Sequence, residues 1–115
     1  MIFAKGDHIK QIIEGFKTQT RRIYYPDKSR EYYPGCTYSI QPGRGKPGIP
    51  EGRILIKRQW FESYGFTISE EDAIAEGGYV PIIYERLFSK MHGNWRFRQC
   101  LEFEFVPTCT QTEAK

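Results

Sequence analysis

Glu14-Gly15-Phe16-Lys17-Thr18-Gln19-Thr20-Arg21-Arg22 is the densest polar run of the chain, a glycine followed by a lysine, hydroxyl and amide side chains, and two arginines. It follows an apolar-periodic segment, so the fold rather than solvent decides where these side chains point. Ile9, Ile12, Ile13 and Phe16 recur at i, i+3, i+4 and i+7, which predicts one buried helical face over about 7–15. Asp7 is placed to cap that helix through its carboxylate, and Gly15 to break it. Beyond the glycine, the β-branched threonines of Thr18 to Ile23 favour an extended chain that Tyr24 and Tyr25 close before Pro26. In a regular strand Lys17 and Thr20 face opposite sides. Their convergence on one site requires a turn or bulge near Phe16 to Thr18.

Outward from this stretch the chain reads as a small α+β domain. Pro26, Pro34, Pro42 and Pro47, with Gly35, Gly43, Gly45 and Gly48, make 26–50 a decorated loop region in which only Thr37 to Ile40 is strand-like. Arg53 to Phe61 is the strongest central strand, apolar at consecutive positions and expected to be covered on both faces for part of its length, with Trp60 and Phe61 in the core. Thr67 or Ser69 caps a short helix through Glu70, Glu71 and Asp72, which breaks at Gly77-Gly78. Pro81 starts another, with Ile83, Leu87, Phe88 and Met91 on its apolar side and His92-Gly93 as its stop. Trp95 to Phe105 alternates apolar odd positions with charged even ones, a half-exposed strand that Pro107 ends. One domain over 1–107 and a flexible tail over 108–115 follow.

Composition narrows the function. At 115 residues the chain supports one modest core. Its 39% hydrophobic content is too high for disorder, and no apolar run approaches the roughly 20 residues of a membrane span. No signal peptide is expected over residues 1–16, and the expected location is cytoplasmic. Cys36, Cys100 and Cys109 are an odd, widely spaced set with only His8 and His92 beside them, so neither a disulfide framework, a metal site nor a cofactor is expected. A net charge of +3, clumped at Lys17/Arg21/Arg22, Lys28/Arg30, Arg44/Lys46, Arg53/Lys57/Arg58 and Arg96/Arg98, permits a phosphate-bearing partner. A solvated surface accounts for the same clusters. Gly43-Arg44-Gly45-Lys46 lacks the full nucleotide-loop pattern.

Gly15 to Arg22 resembles the G-x-K-x-x-(T/E)-x-R signature of the ASCH domain, a PUA-like family. Ile9 to Glu14 is similar to the helix preceding that signature, and Ile68 to Gly77 to the family's second conserved segment. The resemblance spans most of 2–106 and is least over 26–50. It implies a PUA-like β-barrel of about five strands, with an N-terminal helix and two short helices before the last strand. The Lys-Thr-Gln-Thr-Arg-Arg form, followed by Gly48 to Trp60, is more like ASCH proteins found in phage and mobile-element genomes. One bacterial branch hydrolyses N4-acetylcytidine with a lysine, a threonine three residues on, and a glutamate of the second segment. Carried over, these imply Lys17, Thr20 and Glu76 as catalytic, with Arg22, Arg21, Gly15 and Thr18 binding substrate and the backbone amides of Gly15 to Thr18, or Arg22, stabilising an oxyanion. The implied partner is a modified cytidine nucleoside, or RNA held by a noncatalytic module. Plainer readings stand beside these: Lys17 as a surface lysine, Thr20 as a strand residue, Glu76 in a structural ion pair with Arg22.

Overall fold

The computed structural model describes residues 1–4, 6–27 and 30–108. Lys28, Cys109 and the rest of the expected tail lie outside the described residues. The elements run α1 (His8–Ile13), β1 (Gln19–Ile23), β2 (Thr37–Ser39), β3 (Gly52–Ser63), α2 (Glu70–Ala75), α3 (Pro81–His92) and β4 (Phe97–Pro107). The strands form one antiparallel sheet in the order β1-β4-β3-β2. Among the described residues this sheet is open, so the expected barrel of about five strands is replaced by four strands with β1 and β2 as its edges. The N-terminal segment contributes only an isolated parallel bridge from Ile2 to Gln41. It reaches β1 through a side chain, the Arg22 guanidinium donating to the Ile2 carbonyl at 2.6 Å.

Local chemistry explains the helix ends. Gly15 takes φ +81°, a left-handed conformation that costs glycine least, and the chain turns from α1 into β1 there. Asp7 occupies the N-cap position of α1 but makes no side-chain capping bond. Ser69 does cap α2, its hydroxyl accepting from the Asp72 amide at 3.1 Å. Pro81 opens α3 and Gly93 closes it. At the far end, Thr108 donates its amide and hydroxyl to the Glu51 and Pro50 carbonyls, so the chain is still tied down where a flexible tail was expected to begin.

The most consequential irregularity is a register shift between Ile56 and Arg58 in the β3–β4 ladder, a bulge at Lys57. Ile54 and Ile56 share a face with Phe103 and Leu101, and with Ile12, Ile40, Phe3 and Met1 they form the main core. Side chains alternate with period two, so in an unbroken strand Glu62 would lie on that same face. The extra residue instead sends Glu62 to the opposite face, across from Arg98 and beside Arg21, under a second cluster of Ile68, Ala73, Tyr84, Phe88 and Trp95.

Four burial expectations change accordingly. Phe61 is exposed and Trp60 half-buried, because past the bulge the helices cover Glu62. Phe97 is exposed while Arg98, on an even position, is completely buried. The odd-in, even-out alternation of β4 holds only from Leu101 onward, since at 98–100 both faces are covered. In α1, Ile12 is buried but Ile13 is exposed at the rim, and so is Phe16 beyond the helix end.

Candidate functional site

Four of the eight residues from Gly15 to Arg22 are buried in the protein: Lys17, Gln19, Thr20 and Arg21. The turn that brings Lys17 inside is held by the backbone. The amides of Phe16 and Lys17 both donate to the Gln11 carbonyl, Thr18 donates to Ala75 of α2, and Gly15 to Ile12. All four amide protons are thereby taken, so they form no oxyanion hole, contrary to the sequence expectation. The turn does satisfy the other condition: residues 16–18 stand outside β1, and the alternation that would separate Lys17 from Thr20 is interrupted.

Lys17 is no surface lysine. Its ammonium donates to the Gln19 carbonyl at 2.8 Å, to the Glu76 carbonyl, and to Glu76 Oε1 at 3.4 Å. Glu76 is the C-cap of α2, so the lysine places positive charge on an orphan carbonyl at the negative end of that helix. Burial pushes the Lys17 amine below the usual lysine range; the Glu76 charge opposes this and Arg22 reinforces it.

The expected Glu76–Arg22 ion pair is replaced by one with Arg21, which donates from Nη1 to Glu76 Oε2 at 2.8 Å. Arg21 also grips Glu62 with two parallel bonds, at 3.0 and 2.9 Å, and reaches Asp72 at 3.3 Å. Arg98 donates to Glu62 at 2.9 Å and holds Glu85 in a second two-bond contact at 3.0 and 2.8 Å. Burial alone would lower both guanidinium groups, but these bonds and the surrounding carboxylates raise them, and both stay charged. Arg21 is therefore committed to structure and not available as the substrate contact it was expected to be.

Arg22 is different. Its Nε donates to Thr20 Oγ1 at 3.3 Å, its Nη2 to the Ile2 carbonyl, and its plane lies over Phe3 at 4.8 Å. Among the described residues it has no ion pair. Burial pushes it below the usual guanidinium range.

Lys17, Thr20, Arg22 and Glu76 line one cleft of about 380 Å³ beside β1, within the roughly 300–1,000 Å³ of small-molecule sites. Arg21 also touches its wall; Gly15 and Thr18 do not line it, and their substrate-binding roles are not supported by this placement. The remaining lining is largely apolar and aromatic, notably Phe3, Tyr79, Tyr84 and Phe88. Sequence reasoning missed these rings. Tyr79 and Tyr84 follow the Gly77-Gly78 break on either side of Pro81, and their nearness in sequence to Glu76 was the available signal. It missed Glu62 as well, for want of any sign of the bulge. The Tyr84 phenol is pushed well above its ordinary range by burial and by the Glu76 charge.

No protein-family model matches the chain, and no curated protein matches it. Solved structures do. A protein of Enterococcus faecalis V583 assigned to the family model DUF984 superposes with a TM-score of 0.67 at 20% identity, over 95% of this chain and 81% of that one. The ASCH domain from Lactobacillus crispatus JV V101 gives 0.66 at 16%, over 92% and 77%. The fold is that of an ASCH domain. A hypothetical protein, PH0355, gives 0.62 at 14% identity, over 91% and 96%. Within this ASCH fold the cleft sits against the signature stretch itself, between the N-terminal segment and α3. No helix among the described residues is long and apolar enough to cross a membrane.

Proposed function

We propose that the cleft beside β1 is a nucleoside site and that it removes the acyl group from N4-acetylcytidine-type nucleosides. One observation carries this reading: Lys17, Thr20 and Glu76, drawn from opposite halves of the chain, line the same aromatic-walled cleft. Aromatic faces suit a planar base, and the three side chains supply what amide hydrolysis needs, a nucleophile, a base and an acid.

The chemistry runs in two balanced stages. In the buried Lys17–Glu76 pair a proton passes from the ammonium to Glu76 Oε1, a shift that desolvation of the lysine favours. Thr20 Oγ1 attacks the acyl carbon while its proton goes to the Lys17 amine. The carbon–nitrogen bond breaks, and the exocyclic nitrogen takes its proton from Glu76. Cytidine leaves, the acyl group rests on Thr20 as an ester, and the ion pair is restored. Water then attacks the ester by the same route: one of its protons goes to Lys17, Glu76 reprotonates Thr20, and the acid is released. Arg22, already bonded to Thr20 and without an ion pair among the described residues, faces the developing oxyanion.

A second reading, a noncatalytic module that binds RNA or a modified nucleotide, draws on the same geometry. All three Lys17 protons are donated to fixed acceptors, which suits a structural ammonium. The discriminating experiment is incubation of the folded protein with N4-acetylcytidine, following acetate and cytidine by chromatography. Release that falls at least about a hundredfold in Thr20→Val and Glu76→Gln, each shown to be folded, supports hydrolysis. Binding of the nucleoside without turnover supports the module; intact nucleoside rejects hydrolysis, and absence of salt-sensitive RNA binding together with absence of nucleoside binding rejects the module.

A further inference from the structure

A second cleft, of about 350 Å³, adjoins the first and shares Ile2, Arg22 and His92 with it. Its other walls come from Met1, Ile23 and Tyr25 and, through Arg30, Tyr32, Gln41 and Arg44, from the loop region 26–50, for which the fold so far gives no role. Arg30 and Arg44 line it together with Arg22, and Tyr25 and Tyr32 complete the polar side; no aspartate or glutamate lines it. None of the three arginines has an ion pair among the described residues. Three guanidinium groups gathered around one concavity repel one another, and an anion placed between them removes that cost.

The arginines are also positioned. Arg30 lies over the Tyr25 ring at 5.2 Å. Its backbone is anchored from inside the protein, since the fully buried Gln99 donates to the Arg30 carbonyl at 2.6 Å and accepts from the Tyr32 amide at 3.3 Å. Arg44 sits on a turn closed by Gln41, whose side-chain amide donates to the Lys46 carbonyl at 3.0 Å, and by the Lys46 amide bonding to Gly43. Arg22 is pinned by Thr20 and Ile2. A guanidinium fork presents paired N–H donors that match phosphate oxygens.

We propose that this second cleft binds a phosphate ester on the sugar of the ligand whose base enters the first cleft, so that the ligand is a nucleotide rather than a free nucleoside. The inference rests on the nucleoside reading of the first cleft. It assigns to the Pro/Gly-rich loop region the task of distinguishing phosphorylated from unphosphorylated ligands.

The test compares affinities for N4-acetylcytidine, its 5′-monophosphate, and a trinucleotide carrying the same base, with inorganic phosphate as a base-free probe. Wild-type protein is expected to bind the monophosphate at least about tenfold more tightly than the nucleoside, the worth of one good charged contact. That preference should fall with added salt and be absent in the Arg30→Gln/Arg44→Gln double variant, whose thermal midpoint verifies folding. A trinucleotide that binds more tightly still, with a steeper salt dependence, identifies the phosphate source as RNA; equal binding identifies a mononucleotide. Equal affinity for nucleoside and monophosphate overturns the inference and leaves the first-cleft reading standing. If no nucleoside binds but inorganic phosphate stabilises the wild type and not the double variant, the base-site reading fails and the phosphate site remains.

Discussion

Replacing Glu62 by glutamine removes one negative charge from between Arg21 and Arg98, whose side chains have no solvent exposure, and keeps the volume. Burial would push the Glu62 carboxyl upward, but hydrogen bonds and charge from Arg21, with the charge of Arg98 and the Trp60 indole, hold it down at about 2 against an ordinary 4.5. At about 1.4 kcal/mol per pH unit, that gap corresponds to about 3 kcal/mol of folding stability at neutral pH. The figure agrees with the roughly 3–5 kcal/mol for breaking a buried pair from one side. Because the folded value lies below the unfolded one, the contribution is complete above pH 4.5 and is lost as pH falls from there toward 2. Urea unfolding at pH 7 should therefore find Glu62→Gln less stable by about 3 kcal/mol. Its thermal midpoint should be lower by about 12 °C for a chain of this length. Repeated between pH 5 and 2, the measurements should find wild-type stability falling toward that of the variant, so that the difference narrows. A variant as stable as wild type at pH 7, or a difference that is the same at pH 7 and pH 2.5, would refute the assignment of Glu62 as the anion that holds the two arginines in place.

Three further outcomes follow from the same packing. Lys17→Met, which loses the contacts to Glu76 and Gln19, should lower stability by about 3 kcal/mol in urea unfolding; a loss under about 0.5 kcal/mol would mean that the ammonium does not pin β1 to α2. Gly52→Ala places a methyl group against the Val106 carbonyl and within 2.7 Å of the Phe105 ring, and should cost about 1–3 kcal/mol, whereas an unchanged midpoint would show that the β3–β4 end yields freely. Burial pushes the Cys100 thiol above the usual range, while Cys36 is exposed. Maleimide labelling read by peptide mass should modify Cys36 in native protein and Cys100 only after denaturation; native labelling of Cys100 at a comparable rate would contradict its burial.

Much of the architecture was legible because it is local. Ser69, Pro81, Gly15 and Gly93 act within a turn of where they stand, and each marks a helix end where the sequence placed one. Lys17, Thr20 and Glu76 line one cleft, and only the resemblance paired their two segments, which no periodicity connects. What stayed hidden depends on parity and on distant partners. One extra residue at Lys57 exchanges the faces of everything after it in β3, and a strand of alternating side chains carries no mark of where its alternation slips. Arg98 reads as a solvent-facing charge because its carboxylates, Glu62 and Glu85, lie 36 and 13 positions away. The four amides of residues 15–18 look available in the sequence for the same reason: their acceptors, on α1 and α2, exist only once the helices are packed.

The strand order β1-β4-β3-β2 has a consequence for the order of assembly. β4 pairs with both β1 and β3, yet it follows every other element in the chain. β1 must therefore wait, unpaired, from Gln19 until Glu102 has been synthesised. Non-local pairing of this kind is slow because loop closure precedes any reward from contact. During synthesis β2 and β3 can already pair, but β1 is a polar strand with no neighbour to join, a state in which exposed strands invite wrong partners. Lys17, Arg21 and Arg22 keep that waiting edge charged, which protects it until the centre of the sheet arrives.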